Sequence, residues 1–144
     1  MKVQITRIDK TLPLPIRETE GSIGFDLIAR EDVIVGPLKP VLIPSNIIIK
    51  VPRGYMFQIS LRSSAPRKYR IMMPHGVGII DNDYCGPEDE IMIQVQRTVP
   101  NLLKIKRGTK IAQGIFVKVE ADVFWEEKET IDRESRGGFG STDA

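Results

Sequence analysis

The stretch GIIDNDYCG, residues 78–86, sets Asp81, Asn82, Asp83, Tyr84 and the chain's one cysteine, Cys85, between two glycines. Ile79 and Ile80 are expected to anchor Asp81 at the end of a buried strand, where a carboxylate has to be paired or put to use. The competing reading is a solvated β-hairpin turn, because Asn and Asp suit tight turns. Cys85 with His75 suggests a thiol and its base. With no third group evident to orient the imidazole, that pair is a weak pattern.

Two further stretches have phosphate-type chemistry. LRSSAPRK, residues 61–68, combines the planar donor fork of Arg62 with the hydroxyls and backbone N–H groups of Ser63 and Ser64, just after an apolar run. Its plain alternative is a solvated turn. RGGFGST, residues 136–142, sets glycines that can approach a ligand closely beside Arg136, Phe139, Ser141 and Thr142. It could wrap phosphates while the ring stacks on a base, although a mobile tail is the plain alternative. The absence of a P-loop lysine and of a following helix excludes a Walker-type site.

The elements that must position these groups read as strands. VQITRI, VLIPSNIIIKV, YMFQISL, IMIQVQ and IAQGIFVKV are rich in Ile and Val and mostly of period two, with prolines and glycines between them. Ten prolines, Pro66 among them, would break most candidate helices. The expected fold is therefore all-β, a jelly-roll-like sandwich or barrel over residues 1–125. A polar, glycine-rich and flexible C-terminal arm is expected over residues 126–144. With 41% hydrophobic residues in 144, one compact domain is expected. Its 21 basic and 19 acidic residues form no basic block of the kind that tracks nucleic acid. One Cys and one His cannot supply a Cys/His zinc site. No apolar run reaches membrane-spanning length and no secretory h-region opens the chain, so a reducing cytoplasm is the expected setting.

Five stretches in order resemble the motifs of the trimeric dUTP diphosphatases (dUTPases): GSIGFDLIA, RSSAPRK, GVGIIDNDYCG, RGTKIAQ and RGGFGST. The resemblance implies a jelly-roll subunit, a homotrimer with shared active sites, and Mg²⁺-dependent hydrolysis of dUTP to dUMP and pyrophosphate. Carried over residue by residue, it implies that Asp81 activates the water that attacks the α-phosphorus. Gln113 would donate to the α-phosphate, and Arg62, Ser63 and Ser64 would hold the phosphates. Tyr84 would pack on the deoxyribose and exclude a 2′-hydroxyl, and the backbone from Gly76 to Gly78 would read uracil. Asp26 would act on Mg²⁺ through its water shell. Arg136, Phe139, Gly140, Ser141 and Thr142 would close the site from a neighbouring subunit, with Phe139 on the uracil.

The chain departs from the family pattern in places. Ser64 stands where the second motif has Gly, and Thr109–Lys110 stands for Asp-Arg in the fourth, which is expected to remove an ion pair. In the fifth, the arginine sits directly before GGF, so either Arg136 or Arg133 would reach the γ-phosphate. Two other readings fit the same fold. A dCTP deaminase uses a glutamate as proton shuttle where this hairpin reads IIDNDY. A non-catalytic nucleotide sensor would have no use for Asp81, Tyr84 and Phe139 together.

Overall fold

A computed structural model describes residues 1–135, 137 and 138. Arg136, Phe139, Gly140, Ser141 and Thr142, five of the residues assigned above to site closure, lie outside the described residues.

The chain is nearly all β. In order, the strands are β1 (Gln4–Arg7), β2 (Phe25–Ile28), β3 (Val33–Val35), β4 (Val41–Pro44), β5 (Ile47–Lys50), β6 (Tyr55–Leu61), β7 (Ile71–Met72), β8 (Gly78–Ile80), β9 (Met92–Arg97), β10 (Leu103–Ile105) and β11 (Lys110–Lys118). One short helix, α1 (Ala65–Tyr69), follows β6. The largest sheet runs β2-β11-β6-β8, a second runs β4-β9-β7, and the pairs β1-β5 and β3-β10 complete the set among the described residues. Every strand pairing within these sheets is antiparallel. Phe57 and Ile59 of β6, Ile111 of β11, Ile43 of β4, Ile93 of β9, Ile47 of β5, Val35 of β3 and Ile105 of β10 meet in one buried cluster. All four sheets thus close over a single core, the arrangement of a jelly-roll β fold.

Period two governs the long central strands. In β6 and β11, Phe57, Ile59 and Leu61 pair with Phe116, Gly114 and Ala112 and face the core, while Gln58 and Ser60 pair with Ile115 and Gln113 on the outer face. Gly114 is required by this packing. A Cβ built there would lie 2.0 Å from the Phe57 ring, whose edge occupies the space a side chain would need.

Two expectations fail locally. VLIPSNIIIKV is two strands, because Asn46 adopts φ 74°, breaking the extended run at Ser45–Asn46. Its amide donates to Glu90 Oε1 at 2.7 Å and its side-chain amide to the Asp9 carbonyl at 3.0 Å, so the break is held in place. Pro66 does not break a helix but sits in the first turn of α1, where its missing N–H costs no hydrogen bond.

Beyond β11, residues 119–135 contain no strand or helix, and Val123, Phe124 and Trp125 are 58%, 87% and 95% exposed. No helix among the described residues is long and apolar enough to cross a membrane.

Candidate active site

The outer face of the largest sheet gathers the phosphate-type residues. Asp26 of β2 pairs in register with Gln113 of β11, and Gln113 with Ser60 of β6. A register shift between Lys110 and Ala112 makes Ile111 the extra residue of a bulge. That shift puts Lys110 opposite Ile28, on the same face as Asp26, where an unbroken ladder would have turned it inward. Glu18, Gly24, Asp26, Ser60, Arg62, Ser63 and Gln113 line a cleft of about 510 Å³. Gly24 is close-fitted there: a Cβ on it would meet Gln113 Oε1 at 2.6 Å.

Asp26 is the electrostatic centre of the cleft. It is 8% exposed, with Arg62 Nε 3.0 Å from Oδ1 and Lys110 Nζ 3.1 Å from Oδ2. Lys110 also pairs with Glu18. Lys110 thus bridges two carboxylates, ion pairs of its own at the position where the fourth motif departs from the family pattern. Gln113 Nε2 lies 3.5 Å from Ser60 Oγ, a weak contact that leaves the amide available to a ligand. Ser63 lines the cleft, whereas Ser64 stands at the N-cap of α1 with no side-chain capping bond.

Among the described residues, no three His, Cys, Asp or Glu side chains gather as a metal cage. Asp26 is the one carboxylate at the centre of the cleft and is already paired with Arg62 and Lys110. That donor set fits a metal reached through water and carried by ligand oxygens, and does not fit a dehydrated protein-bound ion.

The hairpin residues lie elsewhere. Ile79, Ile80, Asp81, Tyr84 and Met92 line a hollow of about 230 Å³. Asp81 is exposed in this chain, as is Ile79 at 57%. The expected buried strand end is thus corrected: among the described residues β8 pairs with β6 alone, Ile79 stands on the outer face opposite Gln58, and of the two isoleucines Ile80 turns toward the core. Asn82 is more than a turn residue. Its side-chain amide donates to the carbonyls of Pro52 and Tyr55 at 3.0 and 2.7 Å, tying the hairpin to the start of β6. Tyr84 donates its hydroxyl to the Glu90 carbonyl at 3.1 Å. Glu90 is itself held by Arg30 through a two-pronged pair at 2.9 and 3.0 Å, so the ring is anchored to a fixed strut. Gly76 takes φ +81°, and Gly78 faces Ile59, where a Cβ would come within 3.2 Å. Cys85 lines a different cleft with Gln4, Thr6 and Lys50, and its Sγ contacts the Asn82 carbonyl at 3.8 Å. The thiol–imidazole reading gains nothing from this placement.

Sequence reasoning missed Ser60, Glu18 and the bulge that aims Lys110. Ser60 was legible as the outward-facing neighbour of Ile59; the bulge leaves no residue-level signal.

The family model described as dUTPase matches residues 10–143. The chain is 36% identical over 146 residues to the deoxyuridine 5'-triphosphate nucleotidohydrolase of Zymomonas mobilis, covering 99% of this chain and 97% of that protein. It is 37% identical over 142 residues to the Corynebacterium diphtheriae protein of the same name, covering 97% and 91%. Among solved structures, the dUTPase from Streptococcus mutans superposes with a TM-score of 0.74 at 25% identity, over 85% of this chain and 98% of that one. The Staphylococcus bacteriophage 80alpha dUTPase G164S mutant with dUpNHpp superposes at 0.78 and 20% identity, over 98% of each chain, a likeness of fold.

Proposed function

This chain belongs to the dUTPase family, and we propose that it hydrolyses dUTP to dUMP and pyrophosphate, with Mg²⁺, at sites shared between the subunits of a homotrimer. The observation that carries the shared site is the separation of the two half-sites along β6. Asp81 follows Ile80, which pairs with Phe57, so it lies level with the start of β6. Arg62 lies just beyond the other end. At about 3.3 Å per residue, the two are separated by roughly 20 Å along the strand, too far to serve one phosphorus atom. A second copy supplies the missing half. The bare Phe124 and Trp125 suit the same assembly, because exposed adjacent aromatics favour burial against a partner.

In the joined site, Asp81 accepts a hydrogen bond from the attacking water and takes its proton. The water oxygen bonds the α-phosphorus, the bond from that phosphorus to the bridging oxygen breaks, and pyrophosphate leaves with its electron pair. Arg62, Ser63 and Ser64 hold the phosphates, and Gln113 donates to the α-phosphate. Mg²⁺, when bound, neutralises triphosphate charge, with Asp26 accepting hydrogen bonds from its water shell. The Tyr84 ring, fixed by its bond to the Glu90 carbonyl, fills the space a 2′-hydroxyl would need, and the Gly76–Gly78 backbone reads the base. Residues 126–144 form the closing arm of a neighbouring subunit, with Arg136, Phe139, Gly140, Ser141 and Thr142 as its contacts. The setting is the cytoplasm.

Pyrophosphate release from dUTP, dCTP, dTTP and UTP, measured with and without Mg²⁺, tests this reading. Release from dUTP far above the others supports it. Ammonia from dCTP would mark a deaminase, and no turnover of any would mark a binding protein.

A further inference from the structure

Behind the phosphate-type cleft lies a second, smaller cavity of about 40 Å³, lined by Pro13, Leu14, Ile16, Asp26, Ser45, Lys110 and apolar side chains of β2 and β5. Two side-chain atoms among the described residues are buried without a hydrogen-bond partner in the protein, Asp26 Oδ2 and Ser45 Oγ, and both residues line this cavity. Ser45 is only 2% exposed. Oδ2 has Lys110 Nζ 3.1 Å away as its ion-pair partner and keeps a free lone pair, while the buried hydroxyl has no partner, and the cost of burying it falls if one group meets both.

We propose that this cavity holds an ordered water that joins Ser45 Oγ to Asp26 Oδ2, making Ser45 a positioning residue for the carboxylate at the centre of the cleft. The room suffices, since a water needs about 10–15 Å³ on this measure and two or more polar partners. Lys110, 3.1 Å from Oδ2, offers a third. Charge selects water over an ion. Asp26 and Glu18 are already balanced by Arg62 and Lys110, so a cation would be unpaired, and the carboxylate oxygen repels an anion. The chain of consequence runs from Ser45 through the water to Asp26, and from Asp26 Oδ1 to Arg62 Nε at 3.0 Å, which aims the guanidinium at the cleft. The effect on phosphate binding rests on the function proposed above.

High-resolution crystal structures of the full chain and of Ser45→Val provide the test, together with the affinity of each for the non-hydrolysable dUpNHpp. The wild type should show a density peak within hydrogen-bond distance of both atoms. Valine should displace it, weakening dUpNHpp binding about three- to tenfold and lowering the melting temperature modestly, because the Asp26 oxygen loses its water. Ser45→Ala serves if the valine variant does not fold. A dry cavity, or a peak with the coordination of a cation, overturns the water. Unchanged affinity with the peak gone overturns the positioning role. A wild type that fails to bind dUpNHpp would overturn the proposed function and the positioning role together, and the density would still decide the water.

Discussion

Ile80 pairs with Phe57 in the β8–β6 ladder, and this pairing sends Asp81 toward the start of β6 and away from Arg62. Antiparallel register leaves no freedom here: moving Asp81 to the other end would require sliding β8 by several residues along its partner. The hairpin is pinned further by Asn82, which bonds the carbonyls of Pro52 and Tyr55. Within one chain the hairpin hollow and the phosphate-type cleft therefore lie at opposite ends of β6.

If Asp81 takes the proton of the attacking water, Asp81→Asn should lower kcat on the order of a hundredfold or more. Nucleotide affinity should hold, because Arg62, Ser63 and Gln113 are untouched. Steady-state kinetics on dUTP alongside dUpNHpp titration separates the two, and near-normal kcat would remove Asp81 from its role. Cys85→Ser should leave kcat largely intact, since Cys85 lines a different cleft.

Much of this was legible in the sequence, and the parts that were not have identifiable causes. YMFQISL, IMIQVQ and IAQGIFVKV carry period two long enough to announce strands, and they appear as β6, β9 and β11. Strands β3, β7 and β10 have two or three residues each, too few for any period to show. The break at Ser45–Asn46 depends on the bond that the Asn46 amide donates to the distant Glu90, which no local pattern encodes. Residues of the phosphate-type cleft were named from their chemistry, but the ion pairs of Lys110 depend on a bulge that period counting misses. Ile79 and Ile80 look alike in sequence, yet a one-residue step puts one outside and one inside.

Tyr84 should act by volume and not by its hydroxyl. Tyr84→Ala should raise kcat/KM on UTP relative to dUTP, because the space for a 2′-hydroxyl opens. Tyr84→Phe keeps the ring and loses only the bond to the Glu90 carbonyl, so its ratio should stay near wild type. Equal ratios for Ala and wild type would place the sugar filter elsewhere.

Gly114→Ala should be among the most damaging single-methyl changes in the chain. The added carbon falls 2.0 Å from Phe57, which is fully buried and cannot swing away. Overpacking of this kind costs about 1–3 kcal/mol or more. Denaturant unfolding should show the loss, and Phe57→Leu in the same chain should restore part of it by making room. An additive double mutant would contradict the clash.

Acid stability should depend on Asp9. Its carboxylate accepts from the Thr11 hydroxyl at 2.6 Å and from Arg107 at 2.7 Å, bonds that hold its pKa well below the ordinary 3.8. The sign follows from the lowered folded value. The contribution is complete above the ordinary value and is lost as pH falls from about 3.8 toward the lowered one. Urea unfolding across that range should show stability falling with pH, with a shallower slope in Asp9→Asn. Equal slopes would show that this loop is already open in acid.

The separation of Asp81 from Arg62 makes the shared site testable by complementation. Asp81→Asn and Arg62→Ala should each be nearly inactive, the first for want of a base and the second for want of a phosphate clamp. Mixed in equal amounts, unfolded and refolded together, the two chains assemble at random. A site works when its hairpin comes from the Arg62→Ala chain and its cleft from the Asp81→Asn chain, which random pairing gives in about a quarter of sites. If one chain supplied both halves, every site in the mixture would carry a defect and activity would stay at the parental level. Recovery toward a quarter of wild-type kcat, appearing only after co-refolding and not on simple mixing, is the expected outcome. Mixed trimers confirmed by native mass spectrometry without recovered activity would mean that Asp81 and Arg62 reach the same nucleotide within one chain, and would overturn the shared site.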